Sequence, residues 1–137
     1  MSSAEAATAG EEPLRSERDI VLARQLVRRM SQQQGFSLVD QTKMVTAASE
    51  LARNALIYGG GGVMRWELLS TAERRGLRLV FADEGPGIPN LEIAMTDGWT
   101  SGHGMGMGLS GAKRLVNDFE IETRVGGGTR VSIARWK

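Results

Sequence analysis

At 137 residues the chain has the length of one domain, and 17 Lys+Arg against 16 Asp+Glu leave a net charge of +1, too small a field to select nucleic acid or an anionic membrane. The absence of cysteine and the single histidine exclude disulfides, thiolate nucleophiles, Cys-ligated zinc or iron–sulfur clusters and multi-His metal sites. No stretch approaches the ~18 apolar residues of a membrane-spanning helix and no basic-then-apolar leader is present, so the chain reads as cytoplasmic.

Residues 1–12 are small, polar and acidic without periodicity, and residues 1–14 are expected to be a disordered tail before a domain that begins at residue 15. Ser16 and Asp19 form a capping box variant, after which Ile20, Ala23, Leu26, Val27 and Met30 recur on one helical face until Gly35. A second helix is predicted from Val39 or Asp40 to Tyr58, with Met44, Val45, Ala48, Leu51, Ala52, Ala55 and Leu56 on its apolar arc. Eighteen glycines are nearly twice the ordinary share, and 16 of them follow Tyr58, beginning with the run 59–62 that ends this helix.

Two segments of period two, Val63–Leu69 and Leu77–Phe81, flank the polar turn Glu73–Gly76 and predict an antiparallel hairpin. A loop then runs from Asp83 to about Gly108, followed by a short helix over Leu109–Asn117. Strands over Phe119–Val125 and Arg130–Trp136 are separated by Gly126–Thr129. This order predicts an α+β sandwich in which helices cover one face of a single sheet.

Four places could carry chemistry. Glu50 and Asn54, four residues apart, share a helix face opposite the apolar arc. Such a pair suits a solvated surface, and it also suits a carboxylate that takes a hydroxyl proton beside an amide oxygen that ligates Mg²⁺. Asp83 ends an apolar strand before Gly85 and Gly87, as in a simple turn or in a carboxylate accepting from an exocyclic amine such as that of adenine. Glycine alternates through Gly102, Gly104, Gly106 and Gly108 into the helix at Leu109, a flexible linker or a cradle of backbone amides for phosphate. Neither a dinucleotide-binding nor a Walker A context fits there, because no strand precedes Gly106 and no Lys follows Gly111. Gly128-Thr129 enters the last strand. His103 receives no role, and Trp99 either folds onto the domain or anchors a protein partner.

Glu50-Leu51-Ala52-Arg53-Asn54, Asp83-Glu84-Gly85-Pro86-Gly87-Ile88, Gly104-Met105-Gly106-Met107-Gly108-Leu109 and Gly128-Thr129 occur in the order and spacing of the GHKL (histidine-kinase-like) ATPases. Over residues 16–137 the chain resembles that family, most closely its small anti-sigma-type serine/threonine kinases. With its only histidine in a loop, it does not resemble a sensor histidine kinase. The resemblance implies a two-layer sandwich of the Bergerat type, with a mixed, mostly antiparallel sheet, and a kinase domain over residues 15–137. It implies that ATP and Mg²⁺ are bound, with Glu50 as general base and Asn54 as metal ligand. Asp83 would hold the adenine amine, Gly85 and Gly87 would shape the adenine pocket, and Thr129 would lie near the base. Asn90–Gly104 would form a lid, and Gly104, Gly106, Gly108 and Leu109 would wrap the phosphates.

The implied substrate is a Ser or Thr on a STAS-domain antagonist protein, in a partner-switching cascade that controls a sigma factor or similar output. Its other partners would be a downstream phosphatase or sigma regulator. An anti-sigma module that sequesters its partner, with ATP as a structural or gating ligand, is the alternative, and an ATPase using water as acceptor is a third.

Overall fold

A computed structural model describes residues 8–88, Met95 and residues 105–137, and of 105–107 the backbone alone. The elements in chain order are β1 (Ala9–Leu14), α1 (Glu17–Gln33), α2 (Leu38–Ile57), β2 (Gly62–Ser70), β3 (Arg75–Asp83), α3 (Met105–Arg114), β4 (Asp118–Arg124) and β5 (Gly128–Trp136). The sheet order is β1-β2-β3-β5-β4, and every pairing is antiparallel. The expected mixture of parallel and antiparallel strands is therefore not found among the described residues.

Ser16 caps α1, its Oγ accepting from the Asp19 N–H at 3.2 Å while the Asp19 carboxylate accepts from the Arg15 N–H at 2.8 Å. Ser37 caps α2, its Oγ accepting from the Asp40 N–H at 3.1 Å, and the helix starts at Leu38, one to two residues ahead of the predicted start. Ile20, Ala23, Val27 and Met30 of α1 and Met44, Ala48, Leu51 and Ala55 of α2 are buried against Met64, Leu77, Leu79, Phe81, Val131 and Ile133 of the sheet. This is the predicted arrangement of helices on one face. The hairpin between β2 and β3 turns at Thr71–Arg74 rather than at Glu73–Gly76, because the Thr71 hydroxyl accepts from the Glu73 and Arg74 N–H groups. Gly76 instead lies within β3 beneath the Trp136 ring.

Residues 9–14 correct the expectation of a tail. The segment AGEEPL has little strand propensity of its own, yet it pairs with β2 along its whole length. Three contacts distant in sequence hold it. The Trp66 ring lies across Gly10, where any Cβ would overlap it, Leu14 is fully buried, and Glu11 pairs with Arg65 at 2.8 Å. Residues 1–7 lie outside the described residues.

The glycine-rich segment also differs from expectation, since α3 starts at Met105 rather than at Leu109. Each glycine costs a helix about 1 kcal/mol relative to alanine, and docking of α3 on α2 offsets that cost, with Leu109 and Ala112 fully buried. Most of the expected lid, with Trp99, His103 and Gly104, lies outside the described residues.

Candidate functional site

One row of residues crosses all five strands: Leu14, Gly62, Asp83, Thr129 and Thr123 stand side by side in register. At this edge of the sheet the end of α2 and the start of α3 converge. They bound a narrow pocket of about 30 Å³ lined by Leu51, Asn54, Ala55, Tyr58 and Leu109 from the helices and by Phe81, Asp83, Gly87, Ile88, Thr129 and Val131 from the sheet side. Its walls are mostly apolar with a few polar groups, the usual make-up of a small-molecule site.

Asp83 is the last residue of β3 and stands half-buried on the pocket wall. Burial raises its carboxyl above the ordinary aspartate value, and hydrogen bonds from the backbone of Gly85 and Thr129 oppose that shift. The Gly85 N–H reaches Oδ1 at 2.9 Å. Gly85 therefore holds the carboxylate from behind and does not line the pocket. The chain crowds closely here, since a Cβ on Gly85 would overlap Gly59 Cα, and one on Gly59 would overlap the Asp83 side chain. Gly87 lines the pocket at φ +77°, a conformation that only glycine adopts without strain.

Glu50 and Asn54 lie one turn apart on α2, beside the start of α3. A Cβ on Gly108 would stand 3.1 Å from Asn54 Nδ2 and 3.2 Å from Glu50 Oε2, so the bare backbone of Gly108 sits closely over the pair and a side chain there would push against both. Glu50 is exposed, whereas Asn54 Nδ2 is buried with no hydrogen-bond partner. A buried amide without a partner is rare, and this one retains bonding capacity for a ligand at the helix start. Gly106 lies in the first turn of α3, and Leu109 closes the pocket beneath it. Arg53, between Glu50 and Asn54 in sequence, pairs instead with Glu17 on α1 at 3.2 Å.

Thr129 lines the pocket, but its hydroxyl is shared with Thr123 Oγ1 at 2.9 Å, and Thr123 Oγ1 also accepts from the Ile88 N–H at 2.9 Å. Thr123 is a site residue that the sequence reading misses. It looks like any polar position in an alternating strand, and only the β4–β5 register brings it against the loop after Asp83. Tyr58, which the sequence marks only as a helix end, likewise forms part of the wall.

The chain belongs to the family described as histidine kinase-, DNA gyrase B-, and HSP90-like ATPase, which it matches over residues 39–137. Within that family it is 41% identical over 121 residues to the serine/threonine-protein kinase RsbT of Bacillus subtilis, covering 88% of this chain and 91% of the relative. It is 34% identical over 99 residues to an anti-sigma F factor of Clostridium acetobutylicum, covering 68% of this chain and 66% of the relative. Among solved structures the fold is similar to the RsbU and RsbW domains of a Mycobacterium tuberculosis protein, with a TM-score of 0.64 at 18% identity over 96% of this chain and 33% of that one. A blue-light activated histidine kinase domain from Erythrobacter litoralis gives a TM-score of 0.55 at 17% identity over 96% of this chain and 64% of that one.

Proposed function

We propose that the chain is a serine/threonine protein kinase that transfers the γ-phosphoryl group of ATP to a Ser or Thr of a STAS-domain antagonist protein, in a cytoplasmic partner-switching cascade controlling a sigma factor or similar output. The observation that carries this reading is the convergence of Glu50, Asn54 and the bare backbone of Gly108 at one end of a pocket bounded by Asp83. The 41% identity to a relative named a serine/threonine-protein kinase supports the kinase part of it.

The acceptor hydroxyl oxygen attacks the γ-phosphorus, the bond from that phosphorus to the bridging oxygen breaks, ADP departs, and the hydroxyl proton passes to the Glu50 carboxylate. This reaction asks of the protein mainly positioning and charge neutralisation. Asp83 accepts from the adenine amine, Gly87 lets the loop close on the base, and Thr129 steadies that wall through Thr123. The backbone N–H groups at the start of α3 face the phosphates, with Gly104 contributing ahead of them. Asn54, through its amide oxygen, would hold Mg²⁺, which when bound would neutralise charge on the phosphates. The exposure of Glu50 favours an acceptor delivered on another protein's surface.

Transfer from labelled Mg·ATP to lysate proteins, with wild type beside Glu50→Gln, tests this reading. A labelled band with wild type alone is expected, with the variant retaining ATP binding and losing transfer by roughly 10²–10⁴-fold. Unchanged transfer in the variant removes Glu50 from the mechanism. The identity to anti-sigma F factors favours a second reading, stable sequestration of a partner with ATP as gating ligand. It predicts no transfer and a stoichiometric complex on size exclusion.

A further inference from the structure

Arg135 stands on β5 with its side chain on the helix-covered face, only 15% exposed. Its Nη2 donates to Asp40 Oδ1 at 2.7 Å and its Nη1 to the Leu115 carbonyl at 2.8 Å. Asp40 lies in the first turn of α2, its own N–H donating to the Ser37 cap. The Leu115 carbonyl directly follows α3, where carbonyls have no partner within the helix. One guanidinium thus ties the start of α2 to the exit of α3.

The opposite end of α3 is the one that matters for the nucleotide, since Gly108 there lies on Glu50 and Asn54. α3 therefore rests on α2 at two points, a close backbone contact at its start and a charged fork at its end. Ten residues of helix form a rod about 15 Å long, and a shift at one end of so short a rod displaces the other. Asn117 reinforces the grip, its N–H donating to the Ala134 carbonyl and its Oδ1 accepting from the Trp136 N–H, on either side of Arg135.

Stability alone is a poor reason for this arrangement. Arg135 Nε is buried without a hydrogen-bond partner, and an apolar side chain of similar volume commonly holds a fold as well as a buried ion pair does. A planar fork that reaches a carboxylate and a carbonyl at once supplies direction, which neither lysine nor an apolar side chain reproduces.

We propose that Arg135, acting through Asp40 and the Leu115 carbonyl, is a positioning residue that sets α3 at the register its first turn needs to bind the nucleotide phosphates; this rests on the nucleotide-site reading above. Asp83, which holds the base, lies on β3 and touches neither Arg135 nor Asp40, whereas of α3 only Leu109 lines that end of the pocket, so the effect falls chiefly on the phosphates.

The test measures the affinity of the full chain for Mg·ATP and for adenosine by calorimetry, with circular dichroism as a check of folding, for wild type, Arg135→Met, Arg135→Lys and Asp40→Asn. Expected is a loss of about tenfold in ATP affinity for Arg135→Met with a much smaller loss for adenosine, no rescue by Arg135→Lys, and a smaller loss for Asp40→Asn, which keeps an acceptor for Nη2. Equal losses for ATP and adenosine, or none for either, overturn the proposal. If Arg135→Met does not fold, Arg135→Lys and Asp40→Asn decide by the same ratio. Wild type binding ATP no more tightly than adenosine overturns the nucleotide-site reading itself, and this proposal with it.

Discussion

Gly59 lies so close to Asp83 that a Cβ at position 59 would overlap the carboxyl carbon, with the Ala55 carbonyl crowding it from the other side. The turn that follows α2 thereby limits the direction in which Asp83 points. Gly59→Ala is expected to turn the carboxylate away from the pocket and weaken nucleotide binding about tenfold or more, roughly the loss of one hydrogen bond to a charged group. Titration with a fluorescent ATP analogue checks this, and an unchanged curve would show that Asp83 tolerates displacement.

Asp83 also links binding to pH. Because burial raises its carboxyl above the ordinary value, the native state keeps this proton to higher pH than the unfolded chain does. This group's contribution to stability is therefore greatest below the ordinary aspartate value. It declines as pH rises through the raised value, and stays low toward neutrality. Asp83→Asn removes that decline. Without nucleotide it is expected to be as stable as wild type at neutral pH or slightly more so, and its affinity for ATP falls by about 10- to 100-fold, or ~1.5–3 kcal/mol. Thermal melts across pH with and without ATP measure both effects; a variant destabilised at neutral pH and unaltered in affinity would contradict them.

Thr123→Val keeps the side-chain shape and removes the oxygen that accepts from the Ile88 N–H and pairs with the Thr129 hydroxyl. A buried donor left unmatched costs about 1–3 kcal/mol. Thr123→Val is expected to lower the melting temperature and weaken nucleotide binding together, since Ile88 and Thr129 both line the pocket. Thr123→Ser, which retains the oxygen, is expected to restore most of both.

Deletion of residues 1–14 removes β1. Loss of the fully buried Leu14 alone costs about 2–5 kcal/mol, and Trp66 loses its cover. A clear fall in melting temperature is expected, with a red shift in tryptophan emission. A dispensable tail would leave both unchanged.

The two long helices were legible because buried apolar residues recur there at helical spacing and Ser16 supplies the first with a cap, whereas the Ser37 cap of the second emerged only in the structure. The hairpin strands were legible from period two, although Thr71 moved their turn. Of the candidate site, Glu50, Asn54, Asp83, Gly87 and Thr129 could be named because their residue types are suited to specific chemistry. Thr123 and Arg135 could not be named, since their neighbours come from strands and helices distant in sequence. β1 was missed for the same reason, and α3 began earlier than propensity suggests because glycine, poor for a helix, is what close docking on α2 demands.

Local composition alone thus determined which segments bury an apolar face and which residue types stand ready for nucleotide chemistry, because periodicity, caps and turn residues act within a few positions of one another. Only the tertiary structure decided that Leu14, Gly62, Asp83, Thr129 and Thr123 form one row, and that Gly108 rests on Glu50 and Asn54. Register and helix docking are fixed by burial and hydrogen bonding summed over the whole chain, and no short window of sequence contains both partners of those contacts.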